Sequence, residues 1–184
     1  MHTDEIWQLY NDNGTPIPGV GDTPENLRRD KTRIVANAHV WFWKKDGDDI
    51  AILLQKRSLT KSTRPGWYHI SAGGHINMGE APLEAALRET KEEMGLTLKA
   101  DELHYVHSTR IVAVNPNDIV HVYLYQLTGN EKITHDDGEA ESFDWRSLDD
   151  FEHMVKGAET HNLVPQGQLY FETLIAAIKY EVKN

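Results

Sequence analysis

Residues 74–96 read GHINMGEAPLEAALRETKEEMGL, and no other stretch of the 184-residue chain is as informative. Its carboxylates Glu89, Glu92 and Glu93 are spaced i, i+3 and i+4, so on a helix they share one face. Three neighbouring anionic groups repel one another, which opposes folding unless a cation lies between them. Because Mg²⁺ prefers oxygen ligands and binds a few carboxylates together with substrate phosphates, the stretch predicts a metal site for phosphate chemistry.

The same stretch predicts a helix between Pro82 and Gly95. Proline suits the first helical turn, where its missing N–H is not needed, and glycine suits the C-terminal end. An apolar stripe at helical spacing is formed by Leu83, Ala86, Leu87, Thr90 and Met94. This stripe lies about 140° from the acidic face, so one face should pack on a core while the other borders a cleft. Arg88, four residues before Glu92 and one turn from Glu84, can orient or neutralise a carboxylate.

Two glycines precede the acidic helix. Gly73 and Gly74 have no side chain, so the backbone can approach other groups closely there. We expect a carbonyl from this pair, that of Gly73, to complete the metal shell.

The spacing of seven residues in this stretch resembles the signature of the Nudix hydrolases, G-x(5)-E-x(7)-R-E-U-x-E-E-x-G-U, where U is aliphatic. The matching residues are Gly74, Glu80, Arg88, Glu89, Glu92, Glu93 and Gly95, followed by the aliphatic Leu96. At ordinary residue usage, a chance match is on the order of one in a million. We call residues 74–96 the Nudix box.

The resemblance implies a Nudix-like α-β-α sandwich of the α+β class, with a mixed β-sheet between helices. It also implies metal-dependent cleavage of diphosphates, and it gives Gly74, Glu80, Arg88 and Gly95 supporting roles. The departure is Thr90 at the first aliphatic position. Its methyl group can pack in the buried stripe while its hydroxyl bonds back to the helix backbone.

A second resemblance covers residues 4–100, through DEIWQLYNDNGTPIPG, AHVWFW, LLQKRS and PGWYHISAGGHI. These segments are similar to a Nudix subgroup related to type 1 isopentenyl diphosphate isomerases. In those isomerases a catalytic Cys precedes a metal-binding His by two residues, and the equivalent positions here are Gly73 and His75. The chain contains no Cys, so the resemblance does not extend to the thiol chemistry of isomerisation.

Three cationic or imidazole side chains are candidate substrate-binding residues. Lys56 and Arg57 end a predicted strand, where they either grip phosphates or form a solvated strand end. His75 follows the glycine pair, where it either contacts phosphate or metal or fills a turn.

One further carboxylate is a catalytic candidate. The run DDGEAE at 136–141 is either a solvated loop or, as in many Nudix enzymes, the source of an extra Glu before a Trp-containing strand. Glu139, six residues before Trp145, is the better match and Glu141 the second. Two other sets are more typical of a core than of a site: His39 in a strong strand, and the aromatic residues Trp41, Trp43, Trp67, Tyr123 and Tyr125.

Composition predicts a single domain over residues 1–184, since hydrophobic residues make up 39% and charged residues 26%. The net charge of −10 argues against general binding to nucleic acid or to an anionic membrane surface. No apolar run approaches the ~20 residues that cross a bilayer, and the N-terminus lacks the layout of a secretory signal. With no Cys, the chain cannot form disulfides. We expect a cytoplasmic protein.

Hydrophobic patterning and turn residues predict the elements around the box. An N-terminal hairpin is expected over residues 4–19, with its turn at 11–14. Strands are predicted at 33–43, 50–57, 68–72, 103–113, 119–127 and 143–145, the fourth and fifth joined by 115–117. Helices are predicted at 23–29, 82–95, 147–156 and 166–182, the last with Leu169, Leu174, Ile175 and Ile178 as apolar residues.

These patterns predict a hydrolase that uses Mg²⁺ or Mn²⁺ to cleave the diphosphate linkage of a small organic molecule, such as a nucleoside diphosphate linked to another group. The metal ligands would be Glu89, Glu92 and Glu93, with the proton taken by Glu89 or Glu139. Two alternatives stay open: an isomerase-like enzyme acting on prenyl diphosphates, and a non-catalytic ligand-binding module. A homodimer is compatible with the family resemblance.

Overall fold

The computed structural model describes residues 5–111, 117–134, 138 and 140–183. The strands are β1 (Trp7–Tyr10), β2 (Pro16–Asp22), β3 (Val35–Asp46), β4 (Asp49–Arg57), β5 (Tyr68–His69), β6 (Ala72–His75), β7 (His104–Arg110), β8 (Asp118–Gln126) and β9 (Ala140–Ser147). The helices are α1 (Pro24–Arg29), α2 (Pro82–Met94), α3 (Leu148–Lys156) and α4 (Gln168–Glu181), with one 3₁₀ turn at Ala100–Glu102.

Seven strands form one mixed sheet, and β1 and β2 pair separately as an antiparallel hairpin. The main sheet runs in the order β5-β4-β3-β8-β7, while β6 also pairs with β3 and β9 also pairs with β4. β3 and β8 are parallel, whereas the other pairs are antiparallel. This arrangement confirms the predicted α+β fold with a mixed sheet and an N-terminal hairpin.

Helices cover both faces of the sheet. On one face α2 buries Ala85, Ala86 and Met94 against alternate residues of β3 such as Ala38 and Val40. On the other face α3 and α4 pack over Trp41, Trp43, Ile52 and Leu54. A small third cluster, of Leu9, Leu27 and Val35, holds the hairpin and α1 to the start of β3. The result is the predicted α-β-α layering.

The segment after β4 differs from the single strand predicted at 68–72. β5 pairs with β4, but the chain then leaves β4, and β6 pairs with the first half of β3. The switch occurs at Ser71, whose hydroxyl donates to the Leu53 carbonyl at 2.6 Å and accepts the Phe42 N–H at 2.9 Å. A single buried hydroxyl therefore fills the gap where β3 and β4 separate, and period-2 patterning cannot reveal such a change of partner.

The C-terminal helix α4 buries a different face from the one predicted. Leu169 was expected in the apolar stripe, yet it is 68% exposed, while Tyr170 and Phe171 are buried with Leu174 and Ile178. Apolar residues occur on several sides of this helix, so periodicity alone does not fix its orientation. Trp67 was expected in the core as well, but it is only partly buried, with the Arg64 guanidinium 5.2 Å from its ring centroid.

The start of α3 agrees with the patterning, whereas the extent of β9 does not. Ser147 caps α3 by accepting the Asp150 N–H at 3.1 Å, as predicted. β9 is longer than the strand expected at 143–145. The predicted junction at 115–117 lies mostly outside the described residues, and so does Glu139. No helix in the described ranges is long and apolar enough to cross a membrane.

Candidate active site

The acidic helix α2 is placed by its two ends and its buried stripe. Glu84 accepts the Ala81 N–H at 2.8 Å and so satisfies a free donor at the N-terminus. Gly95 ends the helix with φ of 68°, the left-handed conformation that glycine adopts at lowest cost. Thr90 is buried in the stripe, but within the described residues its hydroxyl has no hydrogen-bond partner, so the expected bond to the helix backbone is absent.

Arg88 links the start of the Nudix box to the turn of α2 that carries Glu89, Glu92 and Glu93, which we call the acidic turn. Its Nε and Nη2 donate to the two carboxylate oxygens of Glu80 at 2.8 and 3.0 Å. Its Nη1 donates to Glu89 at 2.6 Å and to Glu92 at 3.1 Å, and Nη2 also donates to the His75 carbonyl at 3.0 Å. The planar guanidinium thus orients three carboxylates and one backbone carbonyl together, which a point charge could not do.

Glu93 is buried against the glycine pair. It is 8% exposed, and its Oε2 accepts the Gly73 N–H at 3.0 Å. Gly73 itself has no space for a side chain, because a Cβ there would lie 2.3 Å from the Ala38 carbonyl oxygen. Close strand packing and a carboxylate contact therefore both depend on Gly73.

Glu89 lies directly beneath Gly74. A Cβ on Gly74 would approach the Glu89 Oε1 to 2.4 Å, so only glycine leaves room for this carboxylate. Burial raises the pKa of Glu89 to about 7, and the adjacent Glu92 and Glu5 act in the same direction, although Arg88 opposes the shift. A raised pKa makes the Glu89 carboxylate a stronger base than an ordinary glutamate, which suits a group that must accept a proton.

The three predicted metal ligands differ in their surroundings. Glu89 and Glu93 are largely buried, whereas the Glu92 side chain is 46% exposed. As arranged, no group of three or more His, Asp or Glu side chains among the described residues could hold a metal ion. The donor chemistry still fits a hard divalent cation: the carboxylates are oxygen ligands, and Glu89 is a buried anion whose raised pKa a nearby cation would lower.

The candidate substrate-binding residues lie in two places. His75 is beside the carboxylates, since its carbonyl accepts Arg88. Arg57 ends β4 and donates to the Thr63 carbonyl at 3.1 Å. Desolvation lowers the pKa of the partly buried His69, and His39 and the cations Arg57, Arg64 and Lys61 act in the same direction. Lys56 pairs in register with Tyr68 of β5.

The sequence did not predict the hydrogen bonds that the Tyr170 hydroxyl makes to His39 and Trp41, behind Gly73. His39, which pairs with Gly73 in the sheet, bonds through Nδ1 to the Tyr170 hydroxyl at 3.0 Å, and the Trp41 indole donates to the same hydroxyl at 2.7 Å. Nearby, His69 is 3.0 Å from the amide nitrogen of Gln166. Burial lowers the pKa of His39 to about 3 and that of His69 well below its usual value. His39 is therefore a core residue, as predicted, whereas its partner Tyr170 on α4 and the His69 partner Gln166 had no signal in the sequence.

Comparisons with known proteins agree with this geometry. The family model of the NUDIX domain matches residues 33–166. An uncharacterized Nudix hydrolase of Clostridium acetobutylicum is 33% identical over 91 residues, covering 47% of this chain and 44% of that protein. An isopentenyl-diphosphate Delta-isomerase of Escherichia coli is 30% identical over 120 residues, covering 62% and 63%.

The fold is likewise shared with a solved structure. The Deinococcus radiodurans protein DR0079 superposes with a TM-score of 0.68 at 21% identity, over 92% of this chain and 97% of that one. The chain belongs to the Nudix family, whose hydrolases act on diphosphate bonds. The resemblance to isopentenyl diphosphate isomerases is also confirmed. The chain spans about half the length of the bacterial Nudix relatives it matches.

Proposed function

We propose that this protein is a metal-dependent hydrolase that cleaves the diphosphate linkage of a nucleoside diphosphate derivative or another organic diphosphate. The observation that carries the proposal is the acidic turn of α2, where Arg88 binds the largely buried Glu89 and the more exposed Glu92. The buried Glu93 lies beside them and accepts the Gly73 N–H. The proposed ligands of Mg²⁺ or Mn²⁺ are Glu89, Glu92 and Glu93, with the Gly73 carbonyl.

The chain's own residues would divide the work as follows. Glu93 is fixed by the Gly73 N–H, so it offers a ligand oxygen that is already in place. Glu89 would accept the proton of the attacking water, with Glu139 as the other candidate. Arg88 orients Glu89 and Glu92 and offsets their repulsion, and Glu80 holds Arg88. When bound, the cation would neutralise charge on the diphosphate and increase the acidity of water.

Phosphate binding is assigned to three side chains. His75 lies next to the glycine pair, and we propose that it contacts the diphosphate. Lys56 and Arg57 would add positive charge from the end of β4, which an overall negative chain needs at a site for anionic substrates. A small-molecule substrate, without nucleic acid or membrane partners, is part of the proposal, as are a single domain over 1–184, a possible homodimer and a cytoplasmic location.

Hydrolysis is favoured over isomerisation by the surroundings of Gly73. No Cys occurs in the chain, and a side chain at position 73 would collide with the Ala38 carbonyl oxygen and with Ile70 Cδ1, at 2.3 and 2.7 Å. The neighbouring backbone would have to move before a thiol could occupy that place. A non-catalytic binding module is disfavoured because every carboxylate of the box is retained.

The experiment is a screen of organic diphosphates with Mg²⁺ or Mn²⁺, reading released phosphate or monophosphate, with Glu93→Gln as the test variant. Glutamine can still accept the Gly73 N–H, so the fold should persist while a ligand charge is lost. We expect turnover to fall at least about a hundredfold, since even outer contacts of metal ligands are worth about ten- to a hundredfold.

The matched control is Glu84→Gln, on the same helix but bonded to the Ala81 N–H. It should retain activity, and calorimetry should show weakened Mn²⁺ binding in Glu93→Gln alone. Full activity of Glu93→Gln would refute the assignment. Conversion of isopentenyl diphosphate to its isomer without phosphate release would favour the isomerase alternative.

A further inference from the structure

The N-terminal hairpin is bonded directly to the first residues of the Nudix box. The Gln8 N–H donates to the Ile76 carbonyl at 2.9 Å, and the Met78 N–H donates to the Ile6 carbonyl at 2.7 Å. The Gln8 side chain also accepts the Gly79 N–H at 3.1 Å. Residues 6–8 thus lie as an added strand along the segment between β6 and α2, which is the segment that leads from Gly74 to Glu80.

This pairing places Trp7 flat against His75. Their ring centroids are 3.3 Å apart and the ring planes differ by 4°, so the indole covers one face of the imidazole. The indole is held in turn, because its Nε1 donates to the Glu5 carboxylate at 3.2 Å. A ring covered in this way cannot rotate without breaking the stack, so the positions of its nitrogens are fixed.

Arg88 connects the backbone of His75 to the carboxylates of the acidic turn. The His75 carbonyl accepts Arg88 Nη2 at 3.0 Å, and the same guanidinium binds Glu89 at 2.6 Å. The hydrogen bonds among the described residues leave both ring nitrogens of His75 unused. A fixed imidazole with free nitrogens, one contact away from the acidic turn, is suited to bind a phosphate oxygen.

We propose that Trp7 is a positioning residue of the active site, which holds the His75 ring in its binding orientation, and that Glu5 positions Trp7. The inference rests on the proposed function, because it takes the diphosphate as the group that His75 contacts. It makes the hairpin part of the site, whereas a hairpin that only anchors the start of the chain would leave substrate affinity unchanged when Trp7 is replaced.

The kinetic test compares four variants with the wild type on the best diphosphate from the screen. Trp7→Leu removes both the stack and the N–H donor, and we expect KM to rise about tenfold or more with a smaller change in kcat, because His75 would bind phosphate before and during reaction. Trp7→Phe keeps a ring and should be affected less. Glu5→Gln keeps an acceptor for the indole, so its KM should rise less than that of Glu5→Ala, which should resemble Trp7→Phe. Both Glu5 variants lose the same charge near Glu89, so the difference between them reports the indole hydrogen bond.

The structural readout is the NMR signal of the His75 ring, assigned by its loss in His75→Gln. An indole lying flat against the imidazole should shift the His75 ring protons upfield in the wild type, and Trp7→Leu should return them to ordinary positions. The matched control is Trp145→Phe, on β9 with Lys44 Nζ 4.4 Å from its ring centroid. It should change neither the His75 signal nor KM.

The outcomes separate this inference from the proposed function. An unshifted His75 signal in the wild type, an unchanged KM in Trp7→Leu, or a Glu5→Gln variant as impaired as Glu5→Ala would overturn the positioning role alone. A wild-type protein with the upfield signal but no turnover on any diphosphate would reject the proposed function, and the kinetic role of Trp7 with it.

Discussion

Adjacent glycines at the site should respond to alanine in opposite ways. In Gly73→Ala the new Cβ would lie 2.3 Å from the Ala38 carbonyl oxygen, which belongs to a central strand and cannot move aside alone. In Gly74→Ala the three atoms nearest to the new Cβ all belong to the Glu89 carboxylate, with Oε1 at 2.4 Å and Cδ at 2.6 Å. A carboxylate at the end of a flexible side chain can swing away. We therefore expect Gly73→Ala to damage the fold and Gly74→Ala to damage the activity.

The magnitudes follow from the groups that must move. Overpacking against fixed backbone costs about 1–3 kcal/mol, so Gly73→Ala should lose about 2 kcal/mol or more of unfolding free energy. Displacing Glu89 breaks its contact with Arg88, but Arg88 keeps Glu80, Glu92 and the His75 carbonyl. That loss should stay near 1 kcal/mol, the lower end of the range for a hydrogen bond to a charged group.

The assay is urea unfolding of both variants, combined with kinetics on the best diphosphate. With a slope of about 2 kcal/mol per molar urea, Gly73→Ala should shift the midpoint by about 1 M and Gly74→Ala by about half as much or less. The folded Gly74→Ala enzyme should lose about a hundredfold in kcat/KM, as expected for a misplaced catalytic group. Equal destabilisation by the two variants, or full activity of Gly74→Ala, would refute the reasoning.

Two further predictions concern the histidines His39 and His69 and the guanidinium of Arg88. His39 and His69 stay neutral in the folded protein to pH values well below 6.5, but they protonate near 6.5 when unfolded, so stability must fall as the pH drops below 6.5. The neutral His39 should cost on the order of 1 kcal/mol at pH 5.5 relative to pH 7.5, and His69 should add to this loss. Urea unfolding at the two pH values should therefore show a smaller difference in His69→Gln, and an equal difference would contradict this. Arg88→Lys should lower the unfolding free energy by about 1–2 kcal/mol, because an ammonium cannot bind both oxygens of Glu80 as a fork; unchanged urea midpoints would show that this geometry does not matter.

The parts of the site that sequence could predict are those set by neighbours along the chain. Pro82 and Gly95 bound α2 as expected, because capping depends on residues within one turn. The carboxylates at i, i+3 and i+4 fall where helical spacing places them, and Arg88 reaches Glu92 by the same rule. The packing of Ala86 and Met94 follows from the same periodicity.

The parts it could not predict depend on residues far apart in the sequence. Burial of Glu93 depends on a contact with Gly73, twenty residues earlier in the numbering. The phase of α4 is set by the Tyr170 hydroxyl, which needs His39 and the Trp41 indole as partners across the core. Apolar periodicity cannot favour Tyr170 over Leu169, because it contains no information on where a buried hydroxyl finds its hydrogen bonds.

The change of strand partner at Ser71 explains why the site forms where it does. Had residues 68–75 all paired with β4, Gly73 would lie beside β4 instead of β3, and its N–H would not be positioned to reach Glu93. Instead β6 crosses to β3, which brings Gly73 opposite His39 and lets its N–H reach Glu93 on α2. The same crossing puts Gly74 over Glu89 and directs His75 towards the hairpin, where Trp7 covers it. One switch in pairing thus sets the surroundings of two carboxylates and one imidazole, so the sheet topology, more than the helix alone, determines the geometry of the box.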